Sequence, residues 1–193
     1  MSKMSITAIY PKKNLSKPGK PQYKMPYLLR GLSVTRPNQV WSIDITYIPM
    51  LHGFMYLTAI IDVYSRSVMA WGLHNTLDKE NSIEVLRLAV ETHGAPDIIN
   101  SDQDSQYTSS LWLSTCESFN IKVSMDGRGR CKDNIWIERF WRTIKTEYVY
   151  INPEDNVPRL RQGIRDYIDY YNNRRIHQGI ARQIPMERYK QAA

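Results

Sequence analysis

The stretch FMYLTAIIDVY, residues 54–64, is an almost unbroken apolar run rich in β-branched and aromatic residues. It suits a central strand buried on both faces, which a small chain can build only with layers packed on either side. The run before it, VWSIDITYIP (40–49), alternates in part, carries Asp44 in its middle and stops at Pro49, so it reads as a neighbouring strand. Leu51-His52-Gly53 makes the turn between them, and SVMAWGLH (67–74) supplies a third strand, giving a meander. Asp62 closes the second strand just before Tyr64-Ser65-Arg66, where turn formation or pairing with an arginine suits it better than catalysis.

Further along, the periodicity changes. Ile83, Leu86 and Val90 recur at helical spacing within Leu77 to His93, with Asp78 as a cap and Gly94-Ala95-Pro96 as the terminator. That segment reads as a crossover helix leading to DIIN, a short buried strand from which Ser101-Asp102 emerge. Ser109 to Phe119 reads as another short helix and IKVSM as a fifth strand. The loop DGRGRCKDN, glycine-containing and basic, then delivers the chain to a helix over Asn134 to Tyr150, with Asp133 placed to cap it. On that helix Ile137, Trp141 and Ile144 form an apolar stripe, while Asn134, Glu138, Arg142 and Lys145 lie on another face. Val157 to Asn173 is the last long helix, carrying Leu160, Ile164, Tyr167, Ile168 and Tyr171 at helical spacing. Strands, helix, strand and helices in this order specify an α/β domain.

Three units are expected: an extended basic arm over 1–37, a core over 38–150 and a helical extension over 151–193. The arm holds five prolines, with seven lysines and arginines between Lys3 and Arg30, a composition that opposes regular structure. Over the whole chain 26 Lys and Arg stand against 19 Asp and Glu, a net charge of +7 that favours an anionic partner, nucleic acid first. Cys116 and Cys131 show no metal-binding or disulfide pattern, so reduced thiols are expected. No apolar run is long enough for a signal peptide or a membrane span, which points to a cytoplasmic protein with no membrane partner.

A two-metal phosphoryl-transfer site requires several hard oxygen ligands on rigid elements, and carboxylates supply them. Asp44 in the first strand, Asp102 after the fourth and Glu138 on a later helix could converge in that way. In their local contexts, VWSIDITYIP, NSDQDSQYTS and DNIWIERFWRTIKTE, these residues resemble the D,D,E triad of insertion-sequence transposases of the OrfB type, within the retroviral-integrase superfamily. Between Asp102 and Glu138 lie 35 residues, the family's spacing for its second and third acids. The similarity runs from about Ala8 to Tyr189 and includes PYLLRGLSVTRPNQVW, IIDVYSRSVMAW, SMDGRGRCKDN and YNNRRIHQ.

The resemblance implies a ribonuclease-H-like mixed five-stranded sheet with flanking helices. It implies DNA cleavage and strand transfer with two Mg2+ or Mn2+ ions on Asp44, Asp102 and Glu138. Water would free a 3′-hydroxyl at the element's end, and that hydroxyl would attack a second phosphate. The partners implied are the element ends and the target duplex, further copies of the chain in a homo-oligomer, and an upstream helix-turn-helix protein supplying recognition in trans. Arg128, Arg130 and Lys132 in the basic loop, with Arg142 and Lys145 on the helix, are candidates for the DNA backbone. The alternatives are a catalytically silent transposase remnant that binds DNA or a partner protein, and a ribonuclease-H-like enzyme acting on RNA–DNA hybrids.

The sequence also departs from the family pattern. Asp104 stands where the family has glycine, which is tolerable in a left-handed turn but adds charge beside the acids and predicts a slower enzyme. Ile176 replaces a proline, and Ala181, Arg182 and Ile184 replace Gly, Tyr and Thr near the C-terminus. The family's upstream recognition region is expected to lie before this chain, making it a truncated product or a separated catalytic half.

Overall fold

The computed structural model describes residues 24–126 and 134–191. Five strands form one mixed sheet: β1 (Val40–Pro49), β2 (Phe54–Asp62), β3 (Val68–His74), β4 (Ile98–Ser101) and β5 (Lys122–Met125), in the spatial order β3-β2-β1-β4-β5. The first three make an antiparallel meander, and β4 and β5 run parallel to β1. The helices are α1 (Lys79–His93), α2 (Ser110–Ser118), α3 (Ile135–Ile144), α4 (Val157–Asn173) and α5 (Pro185–Gln191).

Alternation along the strands sorts side chains into two cores. Leu57, Ala59 and Ile61 of β2, with Ile48 of β1, pack against Ile137, Phe140 and Ile144 of α3 and Leu160, Ile164 and Ile168 of α4. Trp41, Ile43 and Ile60 point the other way, onto Ile83, Leu86 and Ala89 of α1 and Trp112 and Cys116 of α2. The strand expected to be buried on both faces is so, as Leu57, Ala59, Ile60 and Ile61 are all fully buried. Cys116 is a free buried thiol whose ionisation burial pushes up to about 12. Cys131 lies outside the described residues.

The hairpin between β1 and β2 turns through Gly53, whose φ of 81° is cheap only for glycine, with Met50 N–H donating to Gly53 O at 3.1 Å. At the next turn Asp62 has the expected structural role. Its Oδ1 accepts the Asn38 N–H at 3.0 Å, and its Oδ2 accepts the Ser65 N–H and hydroxyl, each at 2.7 Å. Burial raises the Asp62 carboxyl above its ordinary range, and those donors with the Arg66 charge oppose the rise.

Several expectations need correction. Asp78 precedes α1, yet its carboxylate accepts the Thr76 hydroxyl at 2.6 Å and caps no helical N–H. The helix expected over Asn134 to Tyr150 is α-helical only to Ile144; Lys145–Val149 continue as a π turn, with Tyr150 N–H donating to Lys145 O at 2.9 Å. Asp133, its expected cap, lies outside the described residues.

The described part of the N-terminal arm, from Lys24, has no regular structure but does not stand away from the domain. Leu28 N–H donates to Ser124 Oγ of β5 at 3.0 Å, and Leu29 is buried with Val40 and Val63. The segment after α4 also packs. A 3-10 turn, Gln178–Ile180, leads to α5, whose Tyr189 joins the α1–α2 core. Among the described residues no helix is long and apolar enough to cross a membrane.

Candidate active site

The parallel pairing of β1 with β4 places the first two acids. Trp41 lies abreast of Ile99 and Ser42 abreast of Asn100, so two residues further along each strand bring Asp44 beside Asp102. Asp44 is still within β1, opposite the small Ala59 of β2, whereas Asp102 follows the end of β4. The even-numbered residues of β1 face α3.

On α3 the residues that meet β1 lie along one line. The Ser42 hydroxyl donates to the Asn134 side-chain oxygen, the Trp141 indole N–H donates to Asp44 Oδ2 at 2.9 Å, and Lys145 Nζ donates to Thr46 Oγ1 at 2.7 Å. Residues 134, 138, 141 and 145 follow the i, i+4, i+7 and i+11 spacing of a single helix stripe. Glu138 therefore stands on the stripe whose members touch β1 on either side of Asp44. The sequence reading had placed Trp141 on a separate apolar face. It is indeed buried, at 6% exposure, but its polar edge belongs to this line. Neither the indole donor nor the Lys145–Thr46 contact was legible from spacing alone.

Burial dominates the electrostatics of the two strand acids. It raises the Asp44 carboxyl to about 6, against the Trp141 and Ile45 N–H donors, and the charges of Asp104 and Glu138 push in the same direction as burial. Asp102 is raised by burial and then by the charges of Asp104 and Asp44, with the Asp104 N–H opposing. Beneath them Tyr107 is fully buried, and burial together with Asp44, Asp102 and Asp104 holds its hydroxyl protonated well above the ordinary tyrosine range. No motif or spacing in the sequence points to that hydroxyl.

Carboxylates that raise one another's protonation equilibria form a donor set suited to a hard divalent cation, whose charge relieves the repulsion. Among the described residues, no three Asp, Glu, His or Cys side chains are gathered closely enough to hold one ion. Glu138 is exposed.

Asp104 differs from expectation. Its φ is not among the positive ones, so this position makes no conformational demand for glycine. Its backbone N–H donates to Asp102 Oδ1 at 3.0 Å, and its carbonyl accepts from Tyr107 N–H and Thr108 N–H, each at 3.1 Å. Among the positions that depart from the family pattern, positive φ values fall instead at Ala181 (55°) and Arg182 (62°).

Of the basic candidates, Arg142 is exposed on α3 and Lys145 is half-buried, with burial lowering its ammonium and Asp44 opposing that shift. Arg128, Arg130 and Lys132 lie outside the described residues.

Comparison with known proteins bears on the family. A family model described as integrase core domain matches residues 34–131, and a second of the same description matches residues 119–185. The transposase for insertion sequence element IS904 of Lactococcus lactis subsp. lactis (strain IL1403) is 36% identical over 156 residues, spanning 79% of this chain and 62% of that protein. Transposase InsF for insertion sequence IS3A of Escherichia coli (strain K12) is 30% identical over 144 residues, spanning 73% of this chain and 50% of that protein. The chain thus spans between half and two thirds of the length of these curated relatives. Among solved structures, the HTLV-2 integrase catalytic core domain in complex with magnesium superposes with a TM-score of 0.65 at 20% identity, over 80% of this chain and 97% of that one. At that identity the likeness establishes the ribonuclease-H-like fold alone.

Proposed function

This chain belongs to the integrase core domain family of insertion-sequence transposases, and from that premise we propose that it catalyses DNA cleavage and strand transfer at the ends of an insertion sequence. The observation that carries the reading is the β1–β4 register, which sets Asp44 and Asp102 side by side and half-buried, with Glu138 on the α3 stripe that meets the same strand.

Asp44, Asp102 and Glu138 are the residues that would hold two divalent cations, Mg2+ or Mn2+, which supply Lewis-acid stabilisation to an in-line phosphoryl displacement. The magnesium complex of the HTLV-2 catalytic core supports this choice. The protein's own contributions are positional. β1 and α3 fix Asp44 between two N–H donors, and the turn after β4 fixes Asp102 through the Asp104 N–H. Arg142 and Lys145, with Arg128, Arg130 and Lys132 ahead of the helix, contact the DNA backbone. They supply affinity that falls steeply with salt and carries little sequence information. The substrates are the element ends and a target duplex. The chain acts as a homo-oligomer, as joining two DNA ends requires, with recognition supplied outside this domain, in cis or by a helix-turn-helix partner.

The test is Mn2+-dependent nicking and strand transfer on labelled duplex carrying the element's ends, comparing the native protein with Glu138→Gln. Glutamine keeps the side chain's size and removes its charge. Cleavage by the native protein that the variant lacks is the expected result. Equal activity of the two proteins, or none from either on those ends with the upstream recognition protein present, would rule the reading out.

A further inference from the structure

Trp141 sits in the core between α3 and the sheet, yet its one polar atom is aimed at a carboxylate. An indole N–H can only donate, so it cannot turn to serve a different partner as a hydroxyl or carboxamide could. The ring is locked by packing: Trp141 is 6% exposed, and its ring lies 5.1 Å, centroid to centroid, from that of Phe140. The donor therefore occupies a fixed point 2.9 Å from Asp44 Oδ2. Asp44 stands on a central strand, beside Ala59 of β2. Turning the carboxylate plane away from the indole would forfeit that contact at a partly buried position, where an unmade hydrogen bond is costly.

The contact also selects an oxygen. With Oδ2 engaged by the indole, the carboxylate's other donor is the Ile45 backbone N–H of its own strand. Packing accounts for a large ring at this position but not for its one polar atom meeting a carboxylate. From this geometry we infer that Trp141 is a positioning residue, which orients the Asp44 carboxylate for the cation. The inference rests on the metal-dependent reading above and deepens it by naming what aims the first acid.

Two measurements on the full 193-residue chain test it. In the metal-free protein, the five tryptophans give five indole 1H–15N signals, and Trp141→Phe identifies the one that vanishes. That signal is expected to move, and to exchange with solvent about tenfold faster or more, when Asp44 is replaced by alanine. A signal indifferent to Asp44→Ala would mean that the indole serves packing only and would overturn the inference. The second measurement counts free Mn2+ by electron paramagnetic resonance. Trp141→Phe is expected to bind Mn2+ about tenfold more weakly than the native protein, as for other outer-shell partners of a ligand, with its melting temperature recorded alongside.

Should Trp141→Phe fail to fold, benzothienylalanine at position 141 replaces the N–H by sulfur in a ring of the same shape and is expected to show the same loss. Native-like Mn2+ affinity in either folded variant would overturn the positioning role while leaving the metal reading intact. Absence of binding by the native protein would overturn both.

Discussion

At the scale of single residues, the site's most informative departure from its family is Asp104. Its backbone already does what a glycine there would do, since the N–H reaches Asp102 and φ is not positive. Only the carboxylate differs, and its charge raises both Asp44 and Asp102. Asp104→Gly keeps the donor and removes the charge. It is expected to speed cleavage, by at most about tenfold, the equivalent of one pKa unit of interaction. Single-turnover nicking rates measure this, and an unchanged rate would discard the idea. Ala181 presents the complementary case. The family has glycine there, and Ala181 is held at φ 55° beside Arg182 at 62°. A left-handed conformation costs an L-residue about 1–2 kcal/mol, partly offset by the greater unfolded-chain freedom of glycine. Ala181→Gly should therefore stabilise the protein by about 0.5–1 kcal/mol in urea unfolding, with no change in the slope.

At the scale of elements, the strands were the most legible. β1 and α4 coincide residue for residue with the stretches read from the sequence, because alternation, helical spacing and terminators such as Pro49 act locally. The three candidate acids were legible through the motifs around them, but what aims them was not. Whether Trp141 belongs to the apolar stripe or to the line facing β1 depends on which side of α3 meets the sheet, which spacing leaves open. The π turn after α3 was hidden for a similar reason. It carries Glu147 to partners distant in sequence: the Tyr167 hydroxyl donates to Oε2 at 2.8 Å and Arg175 Nε donates to the same oxygen at 2.9 Å. At seven residues, α5 is too short for periodicity to declare it. The same π turn lays Tyr148 across α4 at Gly163, where an added Cβ would stand 1.6 Å from the Tyr148 hydroxyl oxygen and 2.5 Å from the ring carbon bearing it. Alanine is the better helix former by about 1 kcal/mol, but displacing a packed ring costs about 1–3 kcal/mol. Gly163→Ala is thus expected to lower the melting temperature, and to raise it in a Tyr148→Ala background where the obstacle is gone. The same sign in both backgrounds would refute the account.

At the scale of the whole molecule, the last segment ties the two cores together. α4 belongs to the core under α3, whereas Tyr189 of α5 lies in the α1–α2 core and its hydroxyl donates to Asn38 Oδ1 at 3.0 Å. Between them His177 packs edge-on against Tyr171, with ring centroids 4.4 Å apart, and pairs its backbone with Gln183. Its Nε2 is buried with no hydrogen-bond partner among the described residues. Burial, with the charge of Arg175, lowers its ionisation from 6.5 to about 4, while Glu147 opposes the shift. An unfolded imidazole takes up its proton near 6.5, so protons favour the unfolded chain between the two values. The stability that this neutral ring contributes is complete above about pH 6.5 and is lost as the pH falls toward 4. Asp44 and Asp102 work in the opposite sense, since raised carboxyls bind protons more readily in the folded state. The melting temperature of the native chain therefore mixes opposing trends, and the difference from a His177→Gln variant isolates the imidazole. That variant should lose less stability than the native protein between pH 7 and pH 4.5, where His74 and His93 titrate alike in both. Parallel curves would show that the tail's junction between the two cores is insensitive to this proton.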